Sequence, residues 1–242
     1  SGFTVFNDID TASQTEESLN RMKLDPVDGS LVIAGQYKWS ADPKLYVARF
    51  SDTGLLMNTT QSTSNAFGDS GLGYSLINLV DNSNGPIAYS EYLNALDFDA
   101  ARNLVVALST NSEGGDSHYL YRLLGNGLTD ISFNSGNPRL YNSFSDQTPF
   151  NLKIKAIYTD AAGRLLMAGT YGGNAWVGRV LLDGSGSQVG RWDPAFEADS
   201  ATPGAYLFTG FSFSIDLFMQ LTSSKVTLGW SNYYSGGSSA TL

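Results

Sequence analysis

Apolar residues in this chain come in short blocks separated by polar, glycine-bearing turns. Blocks such as Leu31-Val32-Ile33-Ala34, Leu104-Val105-Val106-Ala107 and Leu165-Leu166-Met167-Ala168 are too short for buried helices and lie among β-branched and aromatic residues. They predict strands. Helical periodicity is nearly absent. Its one candidate, Thr15-Glu16-Glu17-Ser18-Leu19-Asn20, is short and acidic and reads as a loop or a single turn. No apolar run approaches the ~18 residues that a membrane-crossing helix requires.

The blocks belong to a repeat. Leu24-Asp25-Pro26-Val27-Asp28-Gly29-Ser30-Leu31, Phe98-Asp99-Ala100-Ala101-Arg102-Asn103-Leu104, Tyr158-Thr159-Asp160-Ala161-Ala162-Gly163-Arg164-Leu165 and Leu221-Thr222-Ser223-Ser224-Lys225-Val226 share one plan: strand, polar turn, apolar strand. A further strand follows as Leu45-Tyr46-Val47-Ala48-Arg49-Phe50, Tyr119-Leu120-Tyr121-Arg122-Leu123 and Ala175-Trp176-Val177-Gly178-Arg179-Val180, each running into a Gly-rich turn. About sixty residues per unit, with roughly four strands each, is the size of a β-propeller blade. Four units use the whole chain of 242 residues, at approximately 8–80, 81–141, 142–205 and 206–242 plus 1–7. The expected fold is all-β: one domain, a four-bladed β-propeller. The last unit lacks an outer strand, and Phe3-Thr4-Val5-Phe6 is expected to supply it, closing the ring and removing an exposed edge.

These motifs resemble the bacterial delta-60 repeat. The resemblance lies in Asp28-Gly29-Ser30-Leu31-Val32-Ile33-Ala34-Gly35, Val47-Ala48-Arg49-Phe50 and Asp52-Thr53-Gly54. The closing segment Gly127-Leu128-Thr129-Asp130-Ile131-Ser132-Phe133-Asn134 and the weaker Trp192-Asp193-Pro194-Ala195-Phe196 extend it. It covers most of the chain, and unit two departs from it with Ala101-Arg102-Asn103 in place of Asp-Gly. The resemblance implies a propeller-like fold in secreted or cell-surface bacterial proteins, and it implies no catalytic residues.

Composition narrows the chemistry. Charged residues are 15% of the chain against roughly 25% in an average soluble domain. The net charge of −9 argues against nucleic acid and anionic membranes as partners, because phosphate binding needs concentrated positive charge. There is no Cys and one His, His118, so thiolate metal sites, disulfides and multi-His centres are excluded. No cofactor and no metal are expected.

Several motifs invite chemistry and have a plainer reading. Gly68-Asp69-Ser70-Gly71 resembles a serine-protease nucleophile loop, yet it is also the composition of a surface loop. Gly184-Ser185-Gly186 lacks the third glycine and the following helix of a dinucleotide loop and reads as a hairpin turn. Asp25, Asp28, Asp97, Asp99 and Asp160 sit in separate turns, where Asp caps its own backbone, whereas calcium needs six to eight converging oxygens. Arg49, Arg122 and Arg179 hold one repeat position and read as scaffold groups satisfying backbone or Asp, with a polar channel lining as the alternative. His118 reads as a hydrogen-bonded side chain rather than a lone base.

The aromatics carry the functional expectation. Tyr37, Trp39, Tyr171, Trp230, Tyr233 and Tyr234 fall in the connections between second and third strands, which share one face of a propeller. Large rings with polar tips in Gly/Ser/Asn-rich loops suit recognition. The expected role is a non-enzymatic recognition or adhesion module of an exported bacterial surface or fibre protein. It binds a cell-surface glycan or protein through these six residues, with no catalytic residue. The alternatives are a propeller-fold glycan hydrolase or lyase and a structural or homo-oligomerisation domain. An extracellular or cell-surface location is expected, the export signal being removed or lying upstream. Deletion of residues 1–7 is expected to lower stability by several kcal/mol, because it exposes a strand edge and removes apolar burial; a denaturation midpoint equal to the parent's would exclude the closing strand.

Overall fold

The computed structural model describes residues 16–39, 42–60, 65–77, 90–112, 115–141, 152–160, 162–182, 190–196, 204–208, 217–221, 226–232 and 236–241. Within them the protein is all-β, with helix limited to two three-residue 3-10 turns at Asp69–Gly71 and Asn134–Gly136. The first sheet holds β1 (Glu16–Leu24), β2 (Leu31–Trp39), β3 (Asp42–Phe50) and β4 (Tyr74–Ile77). The second holds β5 (Ser90–Phe98), β6 (Leu104–Ser112), β7 (Gly115–Leu123) and β8 (Arg139–Leu140). The third holds β9 (Leu152–Thr159), β10 (Arg164–Tyr171), β11 (Asn174–Leu181) and β12 (Ala205–Phe208). The fourth holds β13 (Leu217–Leu221), β14 (Val226–Asn232) and β15 (Gly236–Thr241). Each sheet is an antiparallel meander in which chain order is spatial order.

Two local expectations change. Residues 16–20, read as a loop, are the start of β1, because the backbone ladder from Glu16↔Lys38 to Leu24↔Leu31 overrides their polar composition. The third sheet runs through Phe208 and so straddles the expected 205/206 junction. The run at residues 3–6 lies outside the described residues.

The apolar runs are explained by burial on both faces. In β2, Val32 and Ala34 join Leu45 and Val47 against Leu96, Phe98, Leu104 and Val106 of the second sheet. The alternate residues of β6, Val105 and Ala107, join Leu120 against Ile154, Leu165, Met167 and Trp176 of the third. The first sheet thus meets the second, and the second the third, face to face, and first strands approach first strands throughout: β1 to β5, β5 to β9, β9 to β13.

The register is pinned at the same place three times. β1, β5 and β9 each carry a bulge, between Leu19 and Arg21, between Leu93 and Ala95, and opposite Ala168/Gly169. A bulge fixes register and increases twist. The longer first unit also has a local cause. Met57 and Phe67 make the backbone contacts that Asp130 and Phe133, or Asp193 and Phe196, make in the next two units. The intervening segment in unit one is longer by several residues, while the sheet itself keeps its length.

Gly169 sits opposite the third bulge, where a Cβ would lie 1.6 Å from the Lys153 carbonyl oxygen; Gly35 is placed alike, at 1.8 Å from that of Ser18. Neither contact can be relieved by a side-chain rotation. Gly169→Ala is therefore expected to cost about 2–3 kcal/mol as overpacking, read as a lowered urea midpoint. An unchanged midpoint would mean that the bulge relaxes freely.

Candidate functional site

Charge inside the stack is concentrated at the junctions between sheets. Arg49, on β3, is buried and every arm of its guanidinium is used. Nε donates to Ser30 Oγ at 2.9 Å, Nη1 to the Gly125 carbonyl of the second sheet's turn at 2.9 Å, and Nη2 to Asp25 Oδ2 at 2.5 Å and Asp28 Oδ2 at 3.1 Å. Arg102 approaches the same two carboxylates from the second sheet, with Nη2 2.6 Å from Asp25 and also bonded to Asp28. Two arginines from two sheets thus enclose two carboxylates. Arg49 and Asp25 are the buried pair of the four, and losing one partner of a buried pair costs about 3–5 kcal/mol, because the other charge is left desolvated.

The second junction repeats the plan. Arg122 Nη1 donates to the Leu182 carbonyl at 2.9 Å and Nε to Asp130 at 2.6 Å, and the guanidinium lies 5.3 Å from the Phe133 ring. Arg179 holds Asp193 at 2.6 Å and lies 5.0 Å from Phe196. Arg49, Arg122 and Arg179 are scaffold groups. In unit one Met57 stands where the later units have Asp130 and Asp193, and Asp25 and Asp28 supply the counter-charge instead.

Arg102 is the residue that sequence reasoning passed over. It takes a φ of 66°, where the matching turn residues are Gly29 at 71° and Gly163 at 74°. A left-handed arginine costs about 1–2 kcal/mol, offset here by its double ion pair. The missing glycine in Ala101-Arg102-Asn103 was the available signal.

The turn aspartates act on their own backbone. Asp25 Oδ1 accepts from the Val27 N–H, Asp99 Oδ1 from Ala101 and Asn103, and Asp160 Oδ1 from Ala162 and Arg164. Asp97 accepts from the Thr159 N–H at 2.7 Å and pairs with Lys23 at 2.8 Å, which ties the second sheet to both neighbours. Among the described residues no three acidic or His side chains converge as a metal site would.

His118 is buried on β7. Its Nδ1 accepts the Ile154 N–H of the third sheet at 3.2 Å. A triad histidine needs Nδ1–H donated to a carboxylate, so this ring is a strut between sheets. Ser70 lies exposed on the first 3-10 turn, in the left-handed region at φ 58°. The Gly184-Ser185-Gly186 motif falls outside the described residues, though Gly190 donates to the Leu181 carbonyl at 2.6 Å and closes a turn there.

The six aromatics are placed as follows. Tyr37 and Trp39 stand in the last part of β2, opposite Lys44 and Asp42, and Trp230 stands in β14 opposite Leu217 and Ser238. Tyr171 ends β10 opposite Asn174, half-buried against the core that joins the second and third sheets. These four positions belong to strand ends rather than loops, because the hairpins are tighter than their polar composition suggested. Tyr233 and Tyr234 lie outside the described residues. The second sheet has Thr110 and Ser112 at the corresponding positions.

A different feature was not anticipated. A groove of about 600 Å³ runs over the outer face of the first sheet, lined by Leu19, Leu24, Leu31, Phe50 and Asp52 among others.

No family model matches the chain, and no curated protein does. Among solved structures, the polysaccharide lyase Uly1 is similar over 93% of this chain and 44% of its own, at 12% identity and a TM-score of 0.40. This chain thus spans less than half of that lyase's length, and a likeness of this degree carries no argument about activity.

The junction carboxylates respond to acid in one direction. Burial opposes ionisation of Asp28, but the Ser30 hydroxyl and N–H, the Arg102 guanidinium and the Arg49 charge outweigh it and hold the carboxyl well below the usual range. Asp130 and Asp160 are lowered in the same way, against burial, by Ser132 and Arg122 and by Arg164 with the Ala162 N–H. A carboxylate depressed in the folded state stabilises it fully above its unfolded value near 3.9 and loses that contribution as pH falls through the folded value. The urea midpoint is expected to hold from about pH 7 to 5 and to drop steadily below about pH 4, with a shallower drop in Asp28→Asn. A midpoint that rises on acidification would reverse the sign of this reading.

Proposed function

We propose that the sheets are blades of a propeller-type scaffold, and that the chain is a non-enzymatic recognition module of an exported bacterial surface or fibre protein. One observation carries the binding reading. The hairpins joining second and third strands recur at one end of each meander, and three of the four units place aromatic residues there. The turns themselves ask for Gly, Asn or Asp, and aromatics suit the strand ends beside them; what supports the reading is their recurrence at the same end of three units. The ligand class is a cell-surface glycan or protein surface, met by Tyr37, Trp39, Tyr171, Trp230, Tyr233 and Tyr234.

The junction chemistry supports a scaffold role for the charged groups. The carboxylates with resolved shifts are lowered and held by arginine, whereas a glycosidase's general acid needs a raised value and a partner carboxylate across a cleft.

The test is a glycan array and cell-surface binding assay on the parent, Trp39→Ala and Tyr233→Ala. Each variant is expected to melt with the parent and to bind about 30-fold more weakly, the equivalent of about 2 kcal/mol at a binding centre. Unfolded variants would place the rings in the scaffold. Folded variants with undiminished binding would remove the aromatic end from consideration.

A further inference from the structure

The outer face of the first sheet is apolar in three successive cross-strand rows. The register aligns Leu24, Leu31 and Phe50; then Met22, Ile33, Ala48 and Tyr74; then Leu19, Gly35, Tyr46 and Leu76. The corresponding rows of the second sheet are Phe98, Leu104 and Leu123; Leu96, Val106 and Tyr121; Leu93, Leu108, Tyr119 and Leu140. Those rows are the surface on which the first sheet docks, and the first-strand members Leu93, Leu96 and Phe98 are 3%, 8% and 7% exposed. Their counterparts Leu19, Met22 and Leu24 are 57%, 68% and 62% exposed. The third-strand members Phe50, Ala48 and Tyr46 are buried against Leu31, Ile33, Leu56 and Tyr74, so the exposed part of this face is the first-strand stripe of Leu19, Met22 and Leu24, with Leu76 at 39%; an exposed apolar stripe of this kind marks an interaction site.

The two filled junctions define what fits. Each receiving sheet accepts a small aliphatic face: Val32, Ala34 and Val47 against the second sheet, Val105, Ala107 and Leu120 against the third. Each also offers a backbone carbonyl to an arginine of the incoming sheet, two residues beyond the third-strand partner of Leu104 or Leu165 (Leu123 and Val180): Gly125 to Arg49, Leu182 to Arg122. The equivalent residue of the first sheet is Asp52, and Asp52 lines the groove. The fourth sheet does not match this requirement. Its third strand, Gly236–Thr241, has the sequence GGSSAT and carries no arginine to donate there.

We propose that this face is the docking surface for a further sheet of the same repeat, carried outside these 242 residues, with an aliphatic inner face and an arginine that donates to the Asp52 carbonyl. The proposal extends the stack by the rule its own junctions obey. It does not depend on the aromatic hairpins, and the binding assay above is unaffected by its outcome.

The second sheet is a ready probe, because its Val105/Ala107/Leu120/Arg122 face has the required character. A fusion places a second copy of residues 90–151 ahead of residue 1 of the full chain. Amide hydrogen exchange is followed at residues 22–24, 31–33 and 50–52 in the parent, in the fusion, and in both with Leu24→Lys, a change the exposed site tolerates. The fusion is expected to slow exchange there at least tenfold, and Leu24→Lys to restore parental rates in the fusion while leaving the parent's unchanged. Sedimentation of the parent is expected to show a monomer. Exchange in the fusion equal to the parent's would overturn the proposal. So would a parental dimer dissolved by Leu24→Lys, since the occupant would then be a second copy.

Discussion

Asp25 is the hinge of this architecture. It is an almost completely buried carboxylate, and burial of an unpaired charge is among the costliest events in a protein interior. It is tolerable because Arg49 reaches it from its own sheet and Arg102 from the next, while its other oxygen caps the turn that starts β2. Three levels of structure meet in one group: a hairpin turn, a sheet and a sheet–sheet junction. The neighbouring junction relaxes the scheme, with Arg122 held mainly by Asp130 and only 3.6 Å from Asp99. Hydrophobic burial supplies the driving force between the sheets, but it is indifferent to sliding. The directional arginine bonds fix where one sheet stops against the next.

Much of this was readable from residues. The second and third strands of the first three units carry apolar runs with a following Arg and glycine turn, and the structure places strands there. The scaffold role of Arg49, Arg122 and Arg179 followed from their recurrence. Other features were hidden for physical reasons. β1 begins in acidic, polar residues, since its edge positions need only backbone pairing, which any side chain permits. Arg102 broke a glycine rule, and only the neighbouring sheet's two carboxylates explain it; a linear reading has no access to a partner more than seventy residues away. The aromatic hairpin ends were identified as a class, yet strand continuity through Trp39 and Tyr171 was missed because turn composition overestimates turn length.

The outer face of the first sheet shows the same limit from the other side. The apolar blocks that hold Leu31, Ile33, Ala48 and Phe50 read as strands, and their rows match buried rows in the second and third sheets, yet the first-strand neighbours Met22 and Leu24 stand exposed. Sequence pattern reports what a residue is suited to touch. It does not report whether the object is within the same chain.

The sharing of Asp25 between sheets has a bearing on how the chain is made. Until the ribosome has delivered the second sheet, Asp25 and Asp28 have Arg49 alone between them, and the inner face of the first sheet has nothing against it. The missing cation and the missing apolar partner arrive together, in β5 and the turn that follows it. The smallest unit that satisfies its own charges is therefore a pair of sheets, and synthesis at a few residues per second leaves the first one waiting for seconds. Vectorial assembly by successive pairs, with each new sheet completing the electrostatics of the one before, is the order of events that this wiring favours.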